Sequence, residues 1–149
     1  MAVGIFTMAN NSDPLPTLDL NQLIGDHCHD VLIRERWVFS ERRGECEAIY
    51  LHLDSNRWVV ISADKENAVW VMYPTNADRA HQAGRGGDSH YRLRDATKDF
   101  SLAELRIENI KARKLDGKLE LCLEFSNATD LTVHFNLITG DSSLYFIKD

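Results

Sequence analysis

Between residues 118 and 136 the chain alternates with a period of two, and this restricts its fold more than any other feature. Leu119, Leu121, Leu123 and Phe125 fall on one side, with Glu120 and Glu124 on the other. After a short break, Leu131, Val133 and Phe135 alternate with Thr132, His134 and Asn136. Successive side chains of a strand point to opposite faces, so this pattern is antiparallel sheet with one dry face and one wet face. Asp116-Gly117 separates the run 107–115 from 118–125. Asp and Gly tolerate the positive φ of a two-residue hairpin, so a tight turn is expected there.

The same order of elements occurs twice. Asp19 with Gln22 and Ser101 with Glu104 are both capping residues followed by an amide or acid three positions on, the signature of a helical turn. Residues 49–53 match 121–125, and turns at 54–56 and 126–130 follow. Residues 57–63 match 131–137, and apolar strands at 68–73 and 143–147 close each half. The pattern predicts a mainly β (α+β at most) domain, an antiparallel β-sandwich or half-barrel built from two similar halves, each led by a short helical turn. The domain spans 17–149, with halves 17–74 and 99–149, a flexible lead-in at 1–16 and a loop at 75–98. Residues 57–63 and 69–72 are apolar on both faces, so both are expected as central strands. In the first half the polar stretch 41–45 is expected to replace the tight hairpin turn.

One core's worth of apolar residues, 44% of 149, suits one domain. No apolar run approaches the roughly 20 residues of a membrane span, and residues 1–7 lack the basic start of a signal peptide. A cytoplasmic location is expected. Three cysteines without an export signal fit reduced thiols rather than a disulfide framework. The net charge of −6 is unevenly laid out: −6 over 1–78, +4 over 79–114 and −4 over 115–149. An acidic body repels phosphate, so direct nucleic-acid binding is not expected, and it steers towards a basic partner. A nuclease is such a partner, since it must be basic to hold nucleic acid.

No catalytic constellation emerges. His27 and His29 would share a strand face, but a metal site needs further ligands and no Cys-x-x-Cys pair exists, so neither metal nor cofactor is expected. Gly-Asp-Ser at 87–89 and 140–142, with Asp78-x-x-His81, is similar to fragments of Gly-Asp-Ser hydrolases, but in reversed order and without βα units. Turn chemistry explains both tripeptides. Glu45 and Glu47 lie at i, i+2 spacing and Glu120 and Glu124 at i, i+4, which fits a solvated sheet face better than a glycosidase pair. Trp37, beside Arg34, Glu35 and Arg36, is the tryptophan expected at the surface, where it suits an interface anchor.

The turn at 20–25, the strands at 49–53 and 57–64, the stretch 123–137 and the terminal strand 143–148 together resemble immunity proteins of bacterial polymorphic toxin and contact-dependent growth inhibition systems. The likeness covers most of 17–148. It implies a cytosolic protein that binds and blocks a cognate toxin domain and carries no catalytic residues. The surface expected to make that contact comprises Asp26, Asp30, Glu45, Glu47, Asp54, Glu120 and Glu124, with Trp37 as anchor. The alternative is a small-ligand-binding or enzymatic β-domain with 74–98 as a lid and His81, Arg85 and His90 at its mouth.

Overall fold

A computed structural model describes residues 18–84 and 90–148; the expected lead-in at 1–16 lies outside them. Ten strands follow one another: β1 (His27–Cys28), β2 (Asp30–Val38), β3 (Glu41–Leu53), β4 (Arg57–Asp64), β5 (Val69–Thr75), β6 (Tyr91–Asp95), β7 (Leu105–Leu115), β8 (Lys118–Phe125), β9 (Thr129–Asn136) and β10 (Ser142–Lys148). Among the described residues, helix is confined to 3-10 turns at Leu20–Leu23 and Asp54–Asn56 and to two short α-helices, α1 (Ala77–Gln82) and α2 (Ala96–Asp99). The chain is mainly β, as its alternation requires, and no described helix is long and apolar enough to cross a membrane.

The strands β2 to β5 form one antiparallel four-stranded meander and β7 to β10 a second. The short β1 adds to the edge at β7, and β6 to the edge at β2. The long strand β3 joins the two meanders. Its later part, from Ala48 to Leu53, pairs with β4, while Gly44 near its start pairs in parallel with Ser142 of β10. A Cβ on Gly44 would sit 3.1 Å from Arg36 Cβ and 2.4 Å from Glu47 Oε2, so glycine permits this close approach. The sheet does not close into a barrel. The inner faces of both meanders share one core, with Ile33, Ile49 and Leu51 against Leu121, Leu123 and Val133. Each such buried aliphatic side chain stabilises the fold by roughly 1.5–3 kcal/mol.

Gly117 at φ 72° makes the expected two-residue turn between β7 and β8. The expected polar turn at 41–45 is instead strand. The reversal falls at Phe39-Ser40, where Val38 pairs with Glu41. Polar residues are tolerated at 41–45 because Arg42 and Arg43 find acidic partners there. Phe39 takes φ 57° and is 96% exposed. A left-handed aromatic outside any core gave no turn signal.

Asp19 caps Leu20–Leu23 as expected. In the second half the helix lies upstream of Ser101, capped by Asp95. Ser101 and Glu104 both adopt positive φ, and the Glu104 N–H donates to Cys28 O at 2.8 Å, so the capping box does not form. The strand β4 is buried on both faces as expected, with Trp58 on one and Val59 and Ile61 on the other. The strand β5 is not: it pairs only with β4 among the described residues, and Val69 is half exposed.

The segment 75–98 is not a single loop. Asn76 Oδ1 caps α1 by accepting the Arg79 N–H, and Ala80 of that helix is fully buried against Leu32, Tyr50 and Trp58. A six-residue helix with one buried position shows no apolar periodicity. Of the expected mouth residues, His81 lies in this helix, His90 just precedes β6 and Arg85 is outside the described residues.

Candidate functional site

The eight residues expected at a partner surface fall in three separate places. Asp26, Asp30 and Asp54 gather at one end of the molecule. Glu45, Glu47 and Trp37 lie at the joint between the meanders. Glu120 and Glu124 stand on the outer face of the second meander.

At the joint the expected residues hold the fold together. Glu47 accepts from Arg36 Nε at 3.2 Å and from Ser142 Oγ at 3.1 Å, while Ser142 Oγ accepts the Cys46 N–H at 3.0 Å. Glu45 accepts the Leu144 N–H at 2.7 Å and pairs with Arg42. Trp37 is half-buried rather than exposed. Its Nε1 donates to Glu35 at 3.1 Å, and the Arg92 guanidinium lies 4.0 Å from its ring centroid. Its charged neighbours pointed to the surface, but β6 pairs with β2 here and brings Arg92 onto the ring. Phe39, two residues on, is exposed.

On the second meander, Glu120 receives Arg113 and, at 2.8 Å, His134 Nε2, and these two hold its carboxyl below the usual range. Glu124 meets Lys111 Nζ at 2.9 Å, which pushes that ammonium's pKa up. Both acids are therefore balanced by cations within the chain.

The end cluster is different. Asp54, in the 54–56 turn, accepts the His27 N–H at 3.1 Å, and its two oxygens face His27 Nδ1 at 3.2 Å and His29 Nε2 at 3.1 Å. The His27 backbone N–H, then its side chain, hold the Asp54 carboxyl below its ordinary value. The other ring nitrogen of His29 faces Glu104 Oε1 at 2.8 Å. The Glu104 contact pushes the His29 pKa up against the opposing effect of burial, with further help from Asp54. His52 lies between Asp30 at 2.9 Å and Asn56 at 2.7 Å, and its ring stacks on Trp58 with centroids 4.6 Å apart. Arg57 donates to Asp26 at 2.7 Å. Of these four carboxylates, Asp26 is met by a guanidinium and Asp30, Asp54 and Glu104 by imidazoles.

Sequence reading missed Glu104, His52, Asn56 and Arg57. Glu104 resembled a capping-box residue, and His52 looked like one more polar position of an alternating strand. The 54–56 turn brings them together because Ser55 and Asn56 both take left-handed φ near 60°. Chemically, the cluster can bind a cationic group and exchange protons. Cys28 beside it is fully buried, and burial pushes its thiol up to about 12, so it offers no thiolate nucleophile. Among the described residues no group of three or more His, Cys, Asp or Glu side chains is placed to hold a metal ion. No protein-family model, curated protein or solved structure matches the chain.

Proposed function

We propose that this chain is an inhibitor of the immunity-protein kind, which binds a basic toxin domain through the Asp54 end and blocks it. One observation carries the reading. Asp30, Asp54 and Glu104 are partnered by imidazoles, whereas the expected acids elsewhere are neutralised by Arg or Lys. An imidazole cancels a carboxylate charge only while it is protonated, so, unlike an Arg or Lys partner, it can leave this end with a negative field. Such a field raises the association rate of a basic partner.

Tagged protein would be used to capture partners from native lysate, with mass spectrometry of what stays bound. A single stoichiometric toxin domain is the expected catch. Its association rate at low salt should fall about tenfold or more in an Asp30→Asn/Asp54→Asn/Glu104→Gln variant. An unchanged rate would remove this end from the interface.

A second reading, small-ligand binding, rests on the open seam between β5 and β7. Leu18, Leu20, Trp70, Ile110 and Ala112 line a cleft of about 360 Å³ there, within the range of small-ligand sites. Trp70 Nε1 is buried without a hydrogen-bond partner among the described residues. A ligand with an acceptor oxygen in this cleft would change Trp70 fluorescence, and a screen that leaves that signal untouched ends the reading.

A further inference from the structure

A neutral imidazole has one N–H and one lone pair; only the protonated ring has two N–H groups. Carboxylates can only accept. His29 has a carboxylate at each nitrogen, Glu104 at Nδ1 and Asp54 at Nε2. Both contacts are therefore attractive together only when the ring is protonated. In the neutral ring one of the two carboxylates faces a lone pair. His27, His52 and His134 are not held this way. His27 meets Asp54 through Nδ1 alone, His134 meets Glu120 through Nε2, and the second partner of His52 is the amide of Asn56, which can turn to donate.

The two acids belong to different meanders. Asp54 lies in the turn between β3 and β4 of the first, and Glu104 in the loop that leads into β7 of the second. Both loops contain non-glycine residues at positive φ, namely Ser55 and Asn56 in one and Ser101 and Glu104 in the other. Such backbones persist where the surroundings hold them.

We infer that His29 is a proton-operated latch between the meanders: protonated, it ties the 54–56 turn to the 101–104 loop; neutral, it keeps one and releases the other. The charges around it leave this role to His29. Asp26, ahead of β1, and Arg57 of β4 pair with each other. Asp30 of β2 is held by His52 of β3, whose ring meets His29 edge-on at 5.4 Å. Arg106, opposite His27 in β7, is bonded to Glu108. His81 of α1 lies beyond Trp58.

The direction follows from the raised His29 pKa. The latch is fully closed below the ordinary histidine value near 6.5 and opens as pH rises through the higher folded value. Opening frees a carboxylate at the end proposed above to meet a basic partner, and that consequence alone rests on the proposed function. The latch itself is tested without any partner.

The full chain, labelled with ¹⁵N, would be titrated between about pH 5 and 9 while the imidazole nitrogens and the amide exchange of 52–57 and 101–105 are followed. Both nitrogens of His29 should be protonated at low pH, with a midpoint above that of a free histidine. Protection factors in the two loops should fall several-fold through that midpoint. Glu104→Gln should lower the midpoint, and His29→Gln should leave loop protection flat with pH. A wild-type midpoint at or below the free value would overturn the latch. So would wild-type protection that ignores pH, and neither result depends on a variant folding.

Discussion

The two meanders have the same inner faces and opposite outer ones. Across β3 and β4 the outward pairs are Tyr50 with Val60 and His52 with Trp58; across β8 and β9 they are Cys122 with Thr132 and Glu120 with His134. The first set draws α1 and Leu93 of β6 onto itself and forms a second small core. The second set forms an ion-paired surface, Arg113–Glu120–His134 and Lys111–Glu124, with Tyr145 and Ile147 half exposed beside it. Inner positions therefore make the sandwich, and outer positions decide whether a strand lies at a surface or between two layers.

The comparison would break most visibly at paired outer positions. Trp58→Ala should cost about 3–5 kcal/mol, the loss typical of a large buried aromatic. Thr132→Ala, on the outer face of the second meander, should stay within about 0.5 kcal/mol, as at other surface positions. Denaturant unfolding of both variants checks this, and similar losses would mean that the second outer face is also covered. Inner positions should behave alike. Leu51→Ala and Leu123→Ala, both fully buried, should each cost about 2–5 kcal/mol in the same measurement.

The joint gives the next effect. Glu35 is 8% exposed and accepts from both Trp37 Nε1 and Arg42. Glu35→Ala should cost about 2 kcal/mol, because two donors lose their acceptor. The second outer face should show itself through pH. The Glu120 carboxyl lies below its ordinary value, so its contribution is present above the unfolded carboxylate value and is lost as pH falls through the lowered folded one. Glu120→Gln should flatten that acid limb of the stability curve by no more than about 1 kcal/mol, the range of surface ion pairs. The smallest effect belongs to the hairpin tip. Phe39→Gly removes a left-handed aromatic and should be neutral or stabilising by about 1 kcal/mol in thermal melts, a sign opposite to every change above. A clear loss would show that Phe39 supports the fold.

The strands were legible where one face was wet. Leu119 to Phe135 alternated, and Asp116-Gly117 marked its turn, because burial on one side writes a period of two. The 57–63 run was legible as a two-sided strand for the same physical reason. Position in the sheet was not, so Val69 looked central although it lies on an edge strand. The hairpin at Phe39-Ser40 was hidden because no Gly, Asn or Asp occupies it, and α1 because six residues are too few for a helical period. Of the candidate site, Asp26, Asp30 and Asp54 were legible as surface acids. Glu104, 75 residues from His29, was not, since that meeting depends on the pairing of β1 with β7.

Within each meander, neighbouring strands are also neighbours in sequence, so every turn there closes a short loop. Pairings between the two halves close long loops instead: Gly44 with Ser142, across which Cys46, Glu47 and Ser142 are bonded, and β1 with β7. The loop-closure entropy of the assembled domain is therefore concentrated at such crossings. Each half can form locally, but its inner face stays wet until the crossings are made. The polar stitches at the joint thus belong to the kinetics of this chain as much as to its stability: they help to keep two otherwise local sheets from drifting apart.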